Sequence, residues 1–386
     1  MLEICDTDAT NIISFFQELP DPRSEVNRLH LLGDVIVIAI CGVLANADGP
    51  SGIEKWAKLN VRWLEEHLSL PNGIPSRDTI RRVLSSLKPL AFQRCFAQWI
   101  DSLSFLSDEQ KAEQKRHIAI DGKALRRSHD KKNNLGALFI VSAWASDRGV
   151  TMGQMATEEK SNEITAIPKL LDEINFEDSI ITIDAAGCQK NIAEQIVDGK
   201  GDYVLALKGN HPKLYEAVQE LFADHIDDDF ARIPVSRYEE FETGHGRIEH
   251  RSYFQVTVPR DLQGRDDWAG LKTIGVAVRI YEQGGKRKSD ARYYLCSMRR
   301  NGKVFANAVR NHWGIENKLH WSLDMTYRED ESRVRDRNCA ENLSWLRRLT
   351  LSLIKQHPGK ESYVMKRRMA GWSVGFLMQV LTGKPT

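Results

Sequence analysis

His117-Ile118-Ala119-Ile120-Asp121-Gly122-Lys123 and Ile180-Ile181-Thr182-Ile183-Asp184-Ala185-Ala186-Gly187 decide how this chain is read. Each is a short, apolar run of the kind that forms a buried strand, and each passes straight into an aspartate. Two strands therefore deliver two carboxylates to their ends. A third acid, Glu316, lies in Asn311-His312-Trp313-Gly314-Ile315-Glu316-Asn317-Lys318-Leu319-His320-Trp321, which has helical spacing. Hard divalent ions such as Mg²⁺ take oxygen ligands, and two such ions about 3.5–4 Å apart can clamp both oxygens of a phosphodiester displacement. Asp, Asp and Glu in the order strand, strand, helix are the residues such a site would use.

Around these runs the grammar of the chain changes three times. Residues up to about Gln110 carry apolar side chains at three- and four-residue spacing in the stretches 11–19, 31–45, 51–66, 76–87 and 90–104, which predicts a helical domain. Breaks fall at Pro20-Asp21-Pro22, Asp48-Gly49-Pro50, Pro71-Asn72-Gly73 and Pro89. From His117 the pattern predicts strands at 117–121, 137–146 and 150–157, a helix at 162–174, a strand at 179–184, a helix at 190–198 and a strand at 203–207. A helix at 212–224 is followed by β-favouring stretches at 238–243, 249–258, 272–282 and 292–297, then by helices at 303–323 and 338–356. The expected division is a helical region over 1–112, the first part of an α/β core over 113–214, a β-rich insertion over 215–300, and helices over 301–386 that complete the core.

Bulk properties narrow the class. The 386 residues are 41% hydrophobic and 28% charged, as in an ordinary soluble protein, and are enough for two or three domains. The longest apolar run, Val35 to Ala45, is too short to span a bilayer and reads as a buried helix. The acidic start, Met1-Leu2-Glu3-Ile4-Cys5-Asp6, lacks a secretory pattern, so a cytoplasmic location and no membrane partner are expected. Six scattered cysteines without a Cys-x-x-Cys pair argue against a zinc ribbon or a disulfide framework. The net charge of +1 conceals a basic end, since Ser297 to Ala370 holds sixteen Lys/Arg against eight Asp/Glu. That is either a local polyanion footprint or a solvated helical surface.

The blocks Ile120-Asp121-Gly122-Lys123, Thr182-Ile183-Asp184-Ala185, Tyr203 to Asn210, Gly244-His245-Gly246-Arg247-Ile248-Glu249 and His312 to Trp321 together resemble the H-repeat-associated, Rhs-linked insertion-sequence transposases of bacteria. Leu19-Pro20-Asp21-Pro22-Arg23 and Ile74 to Ile80 resemble the helical domain associated with them. The resemblance covers nearly the whole chain. It implies an RNase H-like core of mixed α/β class with a β-rich insertion, and DDE-type DNA transposition: metal-dependent cleavage and strand transfer of an insertion-sequence element. It implies Asp121, Asp184 and Glu316 as catalytic residues and metal ligands for two Mg²⁺ or Mn²⁺ ions. Double-stranded DNA, as element terminal repeats and target, is the expected partner, with a homodimer assembled on it. A nuclease without strand transfer and a DNA-binding relic without catalysis are the alternatives.

Weighed singly, Asp121 and Asp184 could each be turn formers at strand ends. His312, Glu316, His320 and Asp324 share one helical stripe, either a solvated face with Glu316 paired to His320 or a metal and phosphate face. His312 and His320 lack the His-Glu-x-x-His order of a zinc protease. Lys123, Lys208, Arg247, Arg310, His312, Lys318, Arg333, Arg335 and Arg337 are the expected DNA contacts, with Arg347 and Arg348 as further phosphate neutralisers. In the broader DDE pattern the Glu is flanked by Tyr, Arg and Lys, whereas Val309, His312 and Leu323 stand here. Trp144, Trp321 and Trp345 read as core residues.

Overall fold

In a computed structural model, which describes residues 14–16, 18–102, 115–157, 163–244, 247–283 and 286–383, the His117 run is the middle of strand β1 (Arg116–Leu125). β1 pairs in antiparallel fashion with β2 (Leu138–Ala145), which pairs likewise with β3 (Val150–Thr157). On its other side β1 pairs in parallel with β4 (Ser179–Ile183), and β4 with β5 (Asp202–Leu207). Every residue of β4 is buried. A strand covered on both faces needs a continuous apolar run rather than alternation, which is what Ile180 to Ile183 supplies.

The β-rich stretch extends this same sheet. β6 (Val235–Gly244), β7 (Arg247–Thr257), β8 (Thr273–Gln283) and β9 (Lys286–Cys296) form antiparallel pairs in sequence order, and β9 joins β5 through Val204↔Cys296 to Leu207↔Tyr293. The result is one nine-stranded sheet in the order β3-β2-β1-β4-β5-β9-β8-β7-β6.

Helices cover both faces. The first face carries α6 (Glu163–Asp172), α7 (Lys190–Asp198) and α8 (Pro212–Ile226), whose Leu170, Ile192 and Phe222 share a core with Ile118, Ile120, Ile181 and Ile183. On the second face α9 (Gly302–Gly314) runs into a π-helical turn at Ile315–His320 and then α10 (Trp321–Met325). α11 (Arg337–Gln356) follows, then α12 (Tyr363–Trp372) and α13 (Val374–Thr382). Ala119, Trp144, Ile315, Leu319 and Trp345 are packed here.

The amino-terminal helices α1 (Leu32–Leu44), α2 (Pro50–Leu59), α3 (Val61–His67), α4 (Arg77–Ser86) and α5 (Pro89–Ser102) share that second core with α11. α1 is apolar all round and buried along Asp34 to Leu44, as such a helix must be. Its buried Asp34 accepts a hydrogen bond from Leu70 N at 3.0 Å. Where the sequence predicts one helix over 51–66, the chain breaks at Asn60 between α2 and α3. Of the expected helix at 11–19, residues 11–13 and 17 lie outside the described residues, and Phe15, Phe16, Glu18 and Leu19 form turns and a bend rather than a helix. The charged linker near 107–114 lies outside the described residues.

Candidate metal and nucleic-acid site

β1 does not end at Asp121. Its pairing with β4 stops at Ile120↔Ile183, but its pairing with β2 continues through Asp121↔Ser142, Gly122↔Val141 and Lys123↔Ile140 to Leu125↔Leu138. Asp-Gly-Lys is locally a turn signal; here the ladder to β2 overrides it. Asp121 therefore stands on a rigid strand beside the notch where β4 finishes. Asp184 is the first residue past β4, so the register brings it next to Asp121. Its Oδ1 accepts Ala186 N at 3.1 Å and Gly187 N at 3.3 Å, which fixes the carboxylate.

Glu316 arrives from the π-helical turn. In a regular helix the four-residue steps from His312 to Glu316 to His320 would drift steadily round the axis. The wider turn takes up fewer degrees per residue, so the second step rotates back and returns His320 toward the sheet. Glu316 is exposed, whereas His312 and His320 lie mostly covered between helix and sheet. His312 Nδ1 and the buried Thr182 hydroxyl share a hydrogen bond at 3.1 Å. His320 Nδ1 lies 3.6 Å from Asp121 Oδ2, so its acidic neighbour is Asp121 rather than the Glu316 of the helical-pair reading. Burial holds both rings neutral, His312 at a pKa of about 4 and His320 at about 3; Arg348 and Lys123 add to the effect on His320.

The carboxylates lie near enough to act on one another. Burial, and then the charges of Asp184, Glu316 and Glu163, push Asp121 up to about 7. Three acids on different elements thus act on one another, with both nearby imidazoles uncharged. As they stand, no three His, Cys, Asp or Glu side chains among the described residues are grouped closely enough to hold an ion. The donor chemistry nevertheless fits a hard divalent cation, since every candidate ligand is a carboxylate oxygen and burial, with their repulsion added, raises Asp121.

The expected cation contacts divide sharply. Lys123 is 8% exposed, and its Nζ sits 2.7 Å from Asp324, 2.9 Å from Asp330 and 3.7 Å from Glu329. That ammonium is engaged inside the protein. Arg347 and Arg348 are likewise buried rather than facing a phosphate: Arg348 Nη1 donates to Glu329 Oε1 at 3.0 Å, and Arg347 Nη2 to the Asp48 carbonyl at 3.0 Å. Glu329 is pushed up by burial, but Arg348, Lys123 and Arg347 outweigh that and hold it at about 2. Arg310 is paired with Glu240 and Glu242, and Arg337 donates to the Gly136 carbonyl at 2.8 Å.

Lys208, Lys318, Arg333 and Arg335 are exposed. Lys208 leaves β5 beside Asp184, because Asn210 Nδ2 donates to the Ala185 carbonyl at 2.8 Å. Arg247 opens β7 opposite Gly244, and nothing of its side chain or of residues 245–246 is described. Trp144 and Trp345 are core residues as expected, but Trp321 is 58% exposed, because the π-helical turn rotates it out of the apolar stripe. Glu163, Thr182 and Asn210 are the site neighbours that sequence reasoning missed. A lone Glu at the start of a helix carries no signal beyond its capping value.

Residues 112–353 match the family model described as Transposase DDE domain, and residues 13–100 match the one described as DDE_Tnp_1-associated. The chain is 37% identical over 362 residues to "Putative transposase YncI" of Escherichia coli O157:H7, covering 93% of this chain and 90% of that protein. It is 38% identical over 371 residues to "H repeat-associated putative transposase YhhI" of Escherichia coli K12, covering 95% and 96%. Over 69 residues it is 36% identical to "Inactive transposase YbfQ" of the same strain, covering 18% of this chain and 82% of that protein.

Proposed function

The chain belongs to the DDE transposase family, with an RNase H-like core, and from that premise we propose that it cuts DNA at the ends of an insertion-sequence element and joins the freed ends to target DNA. The observation that carries this reading is the meeting of Asp121, Asp184 and Glu316 from two adjacent parallel strands and a helix, close enough for two of them to raise the pKa of the third.

Asp121, Asp184 and Glu316 are the residues that would hold Mg²⁺ or Mn²⁺. Two such ions, when bound, supply activation of the attacking oxygen and stabilisation of the leaving one, so no covalent protein intermediate is needed. The protein's part is placement. Asp121 is held by the β2 ladder and Asp184 by its turn, while the Thr182–His312 hydrogen bond anchors the Glu316 helix to β4. The neutral His312 and His320 fill the gap between helix and sheet without adding a competing cation. Lys208, Lys318, Arg333 and Arg335 are exposed and available to phosphates. DNA ends would be held by a dimer assembled on them. Among the described residues no helix is long and apolar enough to cross a membrane.

The test is an end-cleavage and strand-transfer assay on DNA carrying the sequences that flank the reading frame, searched for inverted repeats. Wild-type protein with Mg²⁺ should give a 3′-hydroxyl product and a joined product. Asp121→Asn, Asp184→Asn and Glu316→Gln should each abolish both while leaving the fold intact. Cleavage without joining would make the protein a nuclease, and binding without either would make it a relic. Undiminished cutting by any one variant would remove that residue from the site.

A further inference from the structure

At the end of the sheet opposite the carboxylates, a cavity of about 690 Å³ opens where β1 and β4 begin beneath α9. His117 and Asp121 point to the same face of β1 but stand four residues, or about 13 Å, apart. The cavity is therefore a separate place from the Asp121 notch. Its floor includes Ile180, Met298, Ala308 and His117, all buried. His117 is 5% exposed, and neither of its ring nitrogens has a hydrogen-bond partner. Burial, with His312 adding to it, holds the ring neutral at about 3, and the smaller influence of the Ala308 backbone acts the other way. A polar group buried without a partner costs free energy, and a group entering the cavity is what could supply one.

The rim is basic and amide-rich. Lys303, Asn307 and Asn311 recur at four-residue steps along one wall, on α9. Lys272 comes from the segment before β8 and Arg299 from the segment after β9. With Lys115 these make four cations against two acids, Asp147 and Asp202. Asp202 is already taken, since it accepts from Lys115 Nζ and from Ser297 Oγ, each at 2.8 Å. α9 has no acid in its first turn and carries Lys303 there, at the end where the helix dipole is itself positive. Cations gathered at that end oppose the dipole, and an anion relieves both.

We propose that this cavity binds a small phosphorylated ligand of nucleotide size, with its phosphate held by Lys272, Arg299 and Lys303 at the rim and its ring laid on the apolar floor. An amide presents a donor and an acceptor together, as the edge of a nucleobase requires, and Asn307 and Asn311 supply two. His117 meets the same ring from below. An apolar floor with a few polar groups is the usual make-up of a small-molecule cavity, whereas a bare inorganic anion would use only the rim.

The probe is ADP, titrated calorimetrically into the full-length protein without DNA and with divalent ions chelated, so that Asp121, Asp184 and Glu316 take no part. Inorganic phosphate is the comparison. ADP should bind saturably, more tightly than phosphate, and raise the thermal midpoint. Arg299→Ala combined with Lys303→Ala, both on exposed side chains, should weaken ADP binding by about tenfold or more. His117→Leu should also weaken it, while the ligand-free midpoint stays at or above that of wild type because the unpartnered imidazole is gone. Where His117→Leu fails to fold, Asn307→Ala on the exposed wall carries that arm with the same expected weakening. Absence of saturable ADP binding overturns the proposal, and so does binding that the Arg299/Lys303 variant leaves unchanged. Phosphate bound as tightly as ADP would make the rim an anion site alone and overturn the nucleotide assignment.

Discussion

Asp121 and Lys123 are two residues apart on the same face of β1, yet they belong to opposite kinds of charge cluster. Around Lys123 the protein sets Lys123, Arg347 and Arg348 against Asp324, Glu329 and Asp330, at distances from 2.7 to 3.9 Å. Around Asp121 it gathers Asp184, Glu316 and Glu163 with two imidazoles kept neutral, and the described ion pairs give Asp121 no partner but His320. The balanced cluster is finished by the polypeptide, and on the function proposed above the unbalanced one would be finished by a cation. Removing a charge should therefore damage the first and relieve the second.

The largest stability effect expected from this contrast is at Glu329. Its carboxylate is fully buried and accepts from Arg348 Nη1 at 3.0 Å and from Ser344 Oγ at 2.9 Å. Glu329→Gln leaves two buried guanidinium groups and Lys123 without their shared counter-ion. Breaking a buried pair from one side costs about 3–5 kcal/mol. Denaturant unfolding should register a loss of that order, whereas Asp121→Asn in metal-free protein should be neutral or stabilising. If the two variants destabilise equally, the clusters do not differ in charge balance.

A smaller effect is expected from pH on the metal-free protein. The folded pKa of Asp121 is about 7, against an unfolded value near 3.8, so the folded state binds this proton more tightly. Protonated Asp121 thus contributes stability that is present at acid pH and lost as pH rises through about 7. His312 and His320 work in the other direction: held down to about 4 and about 3, they contribute stability above the unfolded histidine value of 6.5 that is lost as pH falls. Subtracting the Asp121→Asn stability curve from the wild-type curve isolates the carboxylate. The difference should grow by a few kcal/mol, on the order set by the shift, between about pH 4 and about pH 7. A flat difference would mean that neither burial nor neighbouring charge raises Asp121. Divalent-ion binding should correspondingly weaken below about pH 7, since the ion and the proton compete for the same oxygens.

The contrast also marks what the sequence made legible. The run Ile180 to Ile183 carries its own evidence of a covered strand, and α7 falls at Lys190–Asp198 where spacing predicts it, because both signals are local. The three expected acids stand on the elements predicted for them, Asp121 in β1, Asp184 just past β4 and Glu316 on the helical segment, for the same reason. What escaped is non-local. β1 continues past Asp121 because β2 pairs with it, and nothing within Asp-Gly-Lys announces that ladder. Lys123, Arg347 and Arg348 looked like DNA contacts, since a charge carries no mark of burial until its partners arrive, for Lys123 from Asp330, 207 residues away. The π-helical turn is similarly silent in composition, though it decides that Trp321 faces solvent and His320 faces Asp121.

The smallest predicted effect lies at the outer edge of the same charge system. Arg347 and Arg348 are buried and spent on Glu329, whereas Arg333 and Arg335 are exposed on the segment leading into α11. If exposure separates structural arginines from those that meet DNA, only the outer pair should contribute to the salt dependence of DNA binding. Replacing Arg333 and Arg335 together by Ala should leave the unfolding free energy within about 0.5 kcal/mol of wild type, as for other surface changes. The slope of log affinity against log salt should fall by about 1 for each phosphate contact removed. Arg348→Ala should do the reverse, lowering stability strongly and changing the slope only through unfolding. An unchanged slope in the Arg333/Arg335 variant would show that this exposed end does not follow the backbone of the DNA, and the search for the phosphate track would move to Lys208 and Lys318, which are exposed as well.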